Sequence, residues 1–154
     1  MQPQDVFNRA FDVATAELDR WLTAQASVAS IDRESRPWYW RARIRPHVAN
    51  ACSAELMLSR NQTFDLEIGD EGLASQPISD FSLYLPLLQE VAAGNVVIRS
   101  WSALATGGIL TREAIVTLPG GQFWSIRRFI SAGTVGTESS AVARDQHYVP
   151  YRRG

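Results

Sequence analysis

Lysine is absent from this chain. All 15 basic residues among its 154 are arginine. Without lysine there is no Schiff-base chemistry, so pyridoxal-phosphate enzymes and lysine-type aldolases are excluded. The phosphate-loop and protein-kinase motif sets also need a lysine and are excluded with them. Cysteine is nearly absent. Cys52 stands alone, so no intrachain disulfide forms. Two histidines, His47 and His147, and one cysteine cannot close a Cys/His zinc site. The acids Asp65, Glu67, Asp70 and Glu71 lack the register of a calcium-binding loop. No metal and no cofactor is expected. No apolar run approaches the roughly 18 residues of a membrane span. Met1 leads into a polar, amphipathic segment without an apolar signal core, so the chain is read as cytoplasmic and not membrane-bound.

What is present describes one domain of ordinary size. Hydrophobic residues make up 45% of the chain and charged residues 20%, enough to build a core. The 15 basic residues face 16 acidic ones, for a net charge of -1. A dedicated nucleic-acid binder carries a basic excess, so nucleic acid is not the expected partner.

Hydrophobic periodicity organises the chain. Phe7, Phe11, Ala14, Leu18, Trp21 and Leu22 recur at helical spacing and predict a helix from about Asp5 to Ala29, with Asp5 as N-cap. Residues 33–37 read as a connector. The period then changes to two. Trp38, Trp40, Ala42 and Ile44 alternate with Tyr39, Arg41, Arg43 and Arg45, and two further strands follow at 52–59 and 64–68. The even-numbered side chains are expected on the buried face. Residues 69–78 read as a loop. Ser79-Asp80 caps a second helix carrying Phe81, Leu85, Leu88 and Val91, with Pro86 confining its regular part to start near Tyr84 and Gly94 as its stop. Three more strands, about 96–105, 109–118 and 123–130, are separated by the Thr106-Gly107-Gly108 and Pro119-Gly120-Gly121 turns.

The expected fold is therefore α+β, in the order α-β-β-β-α-β-β-β, with a mainly antiparallel curved sheet packed against two helices. Residues 1–131 form the domain. Residues 132–154 form a C-terminal tail whose Tyr148–Tyr151 segment can dock on apolar surface.

Two arginine sets are the candidate sites. Strand alternation aims Arg41, Arg43 and Arg45 to one face with Tyr39 beside them, a row suited to a partner's carboxylates or to phosphates. If Ile44 faces Cys52, the same face becomes an Arg/Glu ladder with Arg41 opposite Glu55 and Arg43 opposite Ser53. Leu58 facing Phe64 then sets Glu55 opposite Glu67 and Met57 opposite Asp65. A second set, Arg99, Arg112, Arg127 and Arg128, is the alternative site, where several guanidinium groups can converge on one anion if the last strands pair. Trp38 and Trp40 share the buried parity, which argues against a base-stacking platform. Cys52 shares the parity of Leu56 and Leu58 and reads as a small core residue, not a nucleophile paired with His47. No catalytic residue is assigned.

The last strands carry aromatics on both faces, with Phe123 and Phe129 opposite in parity to Trp124, Ile126 and Ile130. A sheet with one wet face does not need this. The function expected is a small protein-interaction domain without catalytic activity, of the adaptor, secretion-chaperone or toxin-neutralising type, acting as a homodimer. The alternative is a small-molecule-binding domain or enzyme with an arginine-lined pocket for an anionic ligand.

Overall fold

The computed structural model describes residues 2–130 and 141–152. The elements are α1 (Gln4–Ala24), β1 (Ala29–Arg36), β2 (Tyr39–Pro46), β3 (Ala54–Ser59), β4 (Thr63–Ile68) and β5 (Glu71–Pro77). A 3-10 turn at Phe81–Leu83 leads into α2 (Tyr84–Ala92). Then follow β6 (Val96–Ala103), β7 (Ile109–Thr117), β8 (Phe123–Phe129) and β9 (Ala141–His147). The class is α+β with two antiparallel sheets. One is the meander β1-β2-β3-β4-β5 and the other has the order β8-β7-β6-β9.

This order departs from the expected one at three places. The first helix stops at Ala24, and Ala29–Arg36 is a strand where helix and connector were expected. With Ile31 as its main apolar residue, β1 shows no clear alternation. Its pairing supplies what its pattern lacks, because Asp32 lies opposite Arg43 and Glu34 opposite Arg41. The expected loop at 69–78 contains β5, an edge strand with a bulge opposite Phe64–Leu66. Part of the expected tail is β9, which pairs with β6 and is pinned by Arg99 donating to both carboxylate oxygens of Asp145 at 2.8 and 3.0 Å. The expected boundary at 131–132 and the tail up to 140 lie outside the described residues.

The α1 cap also differs from expectation. Pro3 is the N-cap residue, and Asp5 sits inside the first turn, where its charge suits the helix dipole. The second helix begins as its proline requires. Asp80 accepts a hydrogen bond from the Ser82 backbone at 2.9 Å, and Pro86 falls in the first turn of α2.

The core lies on one face of the first sheet. Trp40, Ala42, Ile44, Ala54, Leu56, Leu58, Phe64, Leu66 and Ile68 are all buried, as the even-numbered parity predicts. They meet Phe7, Phe11, Leu18 and Leu22 of α1 and Tyr84, Leu87, Leu88 and Val91 of α2. A fully buried side chain of this kind contributes about 1.5–3 kcal/mol, so this face holds the two helices. The Trp40 indole N–H donates to Asp19 at 3.1 Å, tying α1 to β2. Trp38 breaks the parity rule. It occupies the two-residue turn between Arg36 and Tyr39 rather than the strand, and it is 64% exposed.

The second sheet joins the same core through Val96, Ile98, Ala114, Val116 and Ile126. The chain end closes it. Val149 donates to Asn50 at 3.0 Å, Tyr151 donates from its backbone to Ala92 at 2.8 Å, and the buried Tyr151 hydroxyl donates to the Cys52 carbonyl. Gly94 lies beneath this segment with φ +84°, and a Cβ there would come 2.9 Å from the Pro150 nitrogen.

Candidate functional site

The outer face of the first sheet is uncovered by either helix. Its side chains come from the odd-numbered positions of β2, β3 and β4, with Gly72 of β5 at the edge. The pairing of β2 with β3 is two residues from the expected register. Ile44 faces Ala54, Arg43 faces Glu55 and Arg41 faces Met57. A slip of two preserves every face assignment, since side chains repeat with that period. The expected register took Cys52 into the strand. Residues 47–53 instead form the connection, with Asn50 at φ 67° and Ala51 bridged to Val149. On the other side of β3, Glu55 faces Glu67 and Met57 faces Asp65, as expected.

The arginine row is engaged from below. Arg41 donates its Nε to one oxygen of Glu55, and Arg43 donates its Nε to the other at 3.0 Å. Burial opposes ionisation of Glu55. The hydrogen bonds from Arg41 and Arg43 outweigh it and hold the carboxyl below its ordinary range. The Tyr39 hydroxyl donates to Glu34, which also accepts from Arg36 at 3.0 Å, and Tyr39 and Arg36 together lower the Glu34 carboxyl. Tyr39, Arg41 and Arg43 are thus held in a network with Glu34 and Glu55. Arg45, opposite Ser30, is exposed and has no carboxylate within ion-pair distance among the described residues. Glu67 is its counterpart. Its cross-strand neighbour Glu55 is turned toward the arginines, and Glu67 has no cationic partner among the described residues.

Together these residues form a trough. A cavity of about 320 Å³ lies over Met57 between Arg41 and Asp65, and one of about 350 Å³ lies between Arg43, Arg45 and Asp70. The two share Glu55 and Glu67. The far wall is low because Gly72 and Ala74 supply it, and because the β4–β5 bulge turns Ser75 to φ 53°, where its N–H reaches Asp65 at 2.6 Å. Reading 69–78 as a loop leaves out the β5 contribution. The signal for it was Gly69-Asp70, a two-residue hairpin turn with Gly69 at φ 58° between Ile68 and Glu71.

The second arginine set is not brought together. Register places Arg99 and Arg127 in one row with Asp145 and Glu113. It places Arg112 and Arg128 in the next row, with Ser100 and Arg144. Successive rows point to opposite faces of a sheet, so the four guanidinium groups cannot meet at one anion. Arg99 is paired with Asp145, Arg127 lies 3.4 Å from Glu113, and Arg128 is paired with Glu71.

Cys52 is fully buried, and burial pushes its thiol up to about 12. It is protonated at neutral pH and unsuited to nucleophilic attack. Among the described residues, no three His, Cys, Asp or Glu side chains gather as metal ligands, and no helix is long and apolar enough to cross a membrane. The aromatics of β8 divide as their parity predicts. Ile126 is buried and Trp124 half-buried against the core, while Phe123 and Phe129 are 72% and 55% exposed. Leu104, Ile109, Phe129, Ile130 and Val142 add exposed apolar surface at one end of the second sheet. Comparison with protein-family models, with curated proteins and with solved structures finds no match to this chain.

Proposed function

We propose that this chain is a non-catalytic protein-interaction domain that takes an extended segment of a partner protein along the trough of its first sheet. The observation that carries this reading is the pair of adjoining cavities sharing Glu55 and Glu67, with Arg45 at one side and Glu67 at the other unpaired among the described residues. Arg41 and Arg43 are neutralised by Glu34 and Glu55, and Asp65 is engaged by the Ser75 N–H; with Arg45 and Glu67 left over, the trough selects for a segment offering both signs. Arg45 and Glu67 are two strands and one residue pair apart. Sheet spacing puts their Cα atoms roughly 12 Å from each other. An extended chain covers that in about four residues, so the segment carries an acid and a base at that separation. The apolar floor at Met57 takes a side chain between them. Adaptor, chaperone and inhibitor roles all use a surface of this kind.

The test is an array of extended decapeptides in which one acid and one base are spaced by two to six residues, probed with the wild-type domain and with Arg45→Glu and Glu67→Arg. Binding that peaks near four residues and is lost in both variants supports the proposal. Binding that ignores the spacing, or survives both reversals, removes it.

A further inference from the structure

The helix α1 has a second apolar line besides the one in the core. Val6 and Val13 are 47% and 61% exposed, and Arg20 follows them seven residues on, along the side of the helix away from Phe7, Phe11 and Leu18. Beside this line runs a groove of about 400 Å³, lined by Arg9, Ala10, Val13, Ala14, Glu17 and the edge of Phe81. Its walls are mainly apolar, but its two ends are not. Arg9 lies four residues before Val13 and Glu17 four residues after. Glu17 has no ion pair among the described residues. Arg9 has only a 3.5 Å contact with Asp5 in which both side chains are largely in solvent, a pair that solvent screens and that leaves the guanidinium free to turn to a partner.

Opposite charges placed symmetrically about an apolar centre make a surface complementary to itself. We propose that α1 is a self-association surface, packing antiparallel against α1 of a second copy about a twofold axis at Val13. Under that axis, residue 13 meets its own copy, and a residue n places before it meets the one n places after it. Arg9 then lies within reach of the partner's Glu17, and Glu17 within reach of the partner's Arg9. Val6 packs on the aliphatic stem of the partner's Arg20. Ala10 and Ala16 flank Val13 on its two sides, and these small residues allow the close approach of roughly 8–10 Å that packed helices adopt. A parallel arrangement brings Arg9 to Arg9 and Glu17 to Glu17, so the charges specify the antiparallel one. Since α1 packs on the inner face of the first sheet, the dimer leaves the trough on the outer face open. Self-association through α1 does not depend on whether that trough binds a partner.

One helix pair is smaller than a standard interface of roughly 1,600 Å², so association is measured by sedimentation equilibrium up to about 0.5 mM chain. Wild type is expected to self-associate. Arg9→Glu and Glu17→Arg each convert both cross-pairs to repulsion, and each is expected to weaken association by about tenfold or more. An equimolar mixture of the two variants restores both pairs and is expected to associate at least as well as wild type. Independently, under dissolved oxygen as the two-electron oxidant, Val13→Cys is expected to form a disulfide-linked dimer, while Ser27→Cys, exposed and beyond the helix, is not. The native Cys52 does not compete because it is buried. Both charge variants lie at exposed positions, and unchanged melting shows that they fold. A wild type that stays monomeric at the highest concentration overturns the proposal. So does association that the reversals leave unchanged, or a mixture no better than its components.

Discussion

The enclosed carboxylate of Glu71 accepts two hydrogen bonds from the guanidinium of Arg128, at 2.9 and 3.1 Å, across 57 residues of chain. The Glu71 side chain is 1% exposed and that of Arg128 is 50% exposed. This pair joins β5, the edge of the first sheet, to β8, the edge of the second. The bidentate geometry offsets the cost of taking the carboxylate out of water, but only while the arginine is there.

The asymmetry of that pair makes the two single variants unequal. Arg128→Ala leaves a buried carboxylate unpaired and is expected to lower stability by about 3 kcal/mol or more. Glu71→Leu/Arg128→Ala removes the stranded charge and is expected to recover most of the loss. Urea unfolding of the singles and the double reads this directly. A double variant as unstable as Arg128→Ala alone contradicts it.

Glu55 is the hub of the network on the open face. Arg41→Ala or Arg43→Ala alone leaves it one donor and is expected to cost about 1 kcal/mol. The double variant leaves a half-buried acid without a partner and is expected to cost more than the sum. Because the arginines hold the Glu55 carboxyl below its ordinary range, the stability they provide is present above the unfolded carboxyl pKa. It is lost as pH falls through the lower folded value. The wild-type advantage over the double variant therefore shrinks on acidification from neutral pH toward about pH 3. A constant difference across that range removes the role of Glu55.

The alkaline side is set by buried neutral groups. Burial raises the Cys52 thiol to about 12, and the Tyr148 hydroxyl likewise to about 12. Both are protonated in the folded chain at a pH where the unfolded chain releases the proton. Stability is full below the unfolded pKa values and is lost between about pH 9 and 12. Cys52 takes away up to about 1.4 kcal/mol for every pH step over which only the folded chain keeps its proton, and the more exposed Tyr148 takes away less. Cys52→Ala should flatten the early part of that decline. In the native protein at neutral pH, a thiol reagent should label Cys52 only at the rate of opening. Labelling as fast as that of a free thiol shows that the site is open.

Gly94 carries two constraints at once. Its φ of 84° is strained for any residue with a Cβ, and the chain at Pro150 passes within 2.9 Å of where that Cβ would sit. Gly94→Ala is expected to cost about 2–3 kcal/mol and to loosen the C-terminal segment. Hydrogen exchange at the Tyr151 amide, which bonds to Ala92, should accelerate in this variant more than exchange in β3. Equal protection in both places argues against the coupling.

Alternation alone decided the faces of β2, β3 and β4. Trp40, Leu56 and Leu66 are buried, and Arg41, Glu55 and Glu67 are outside, because a strand repeats every two residues whatever its partner. The same local rules placed Pro86 in the first turn of α2 and Gly94 at its end. Register is different in kind. It depends on where the connection between β2 and β3 bends, and Asn50 and Ala51 settled that through a bridge to Val149, nearly 100 residues away. The strands that local pattern did not reveal, β1, β5 and β9, are all edge strands. Such strands are half-paired and largely wetted, so their sequences need no strong alternation, and only their neighbours make them strands. The trough and the Glu71–Arg128 pair both depend on β5. Met57 becomes a floor walled by Gly72 and Ala74, and Glu71 meets Arg128, only when β5 lies beside β4. The division of Arg99 and Arg127 from Arg112 and Arg128 was decided in the same way, by pairing rather than by composition. Side-chain chemistry and period belong to the chain itself, whereas the meeting of two distant groups belongs to the folded sheet.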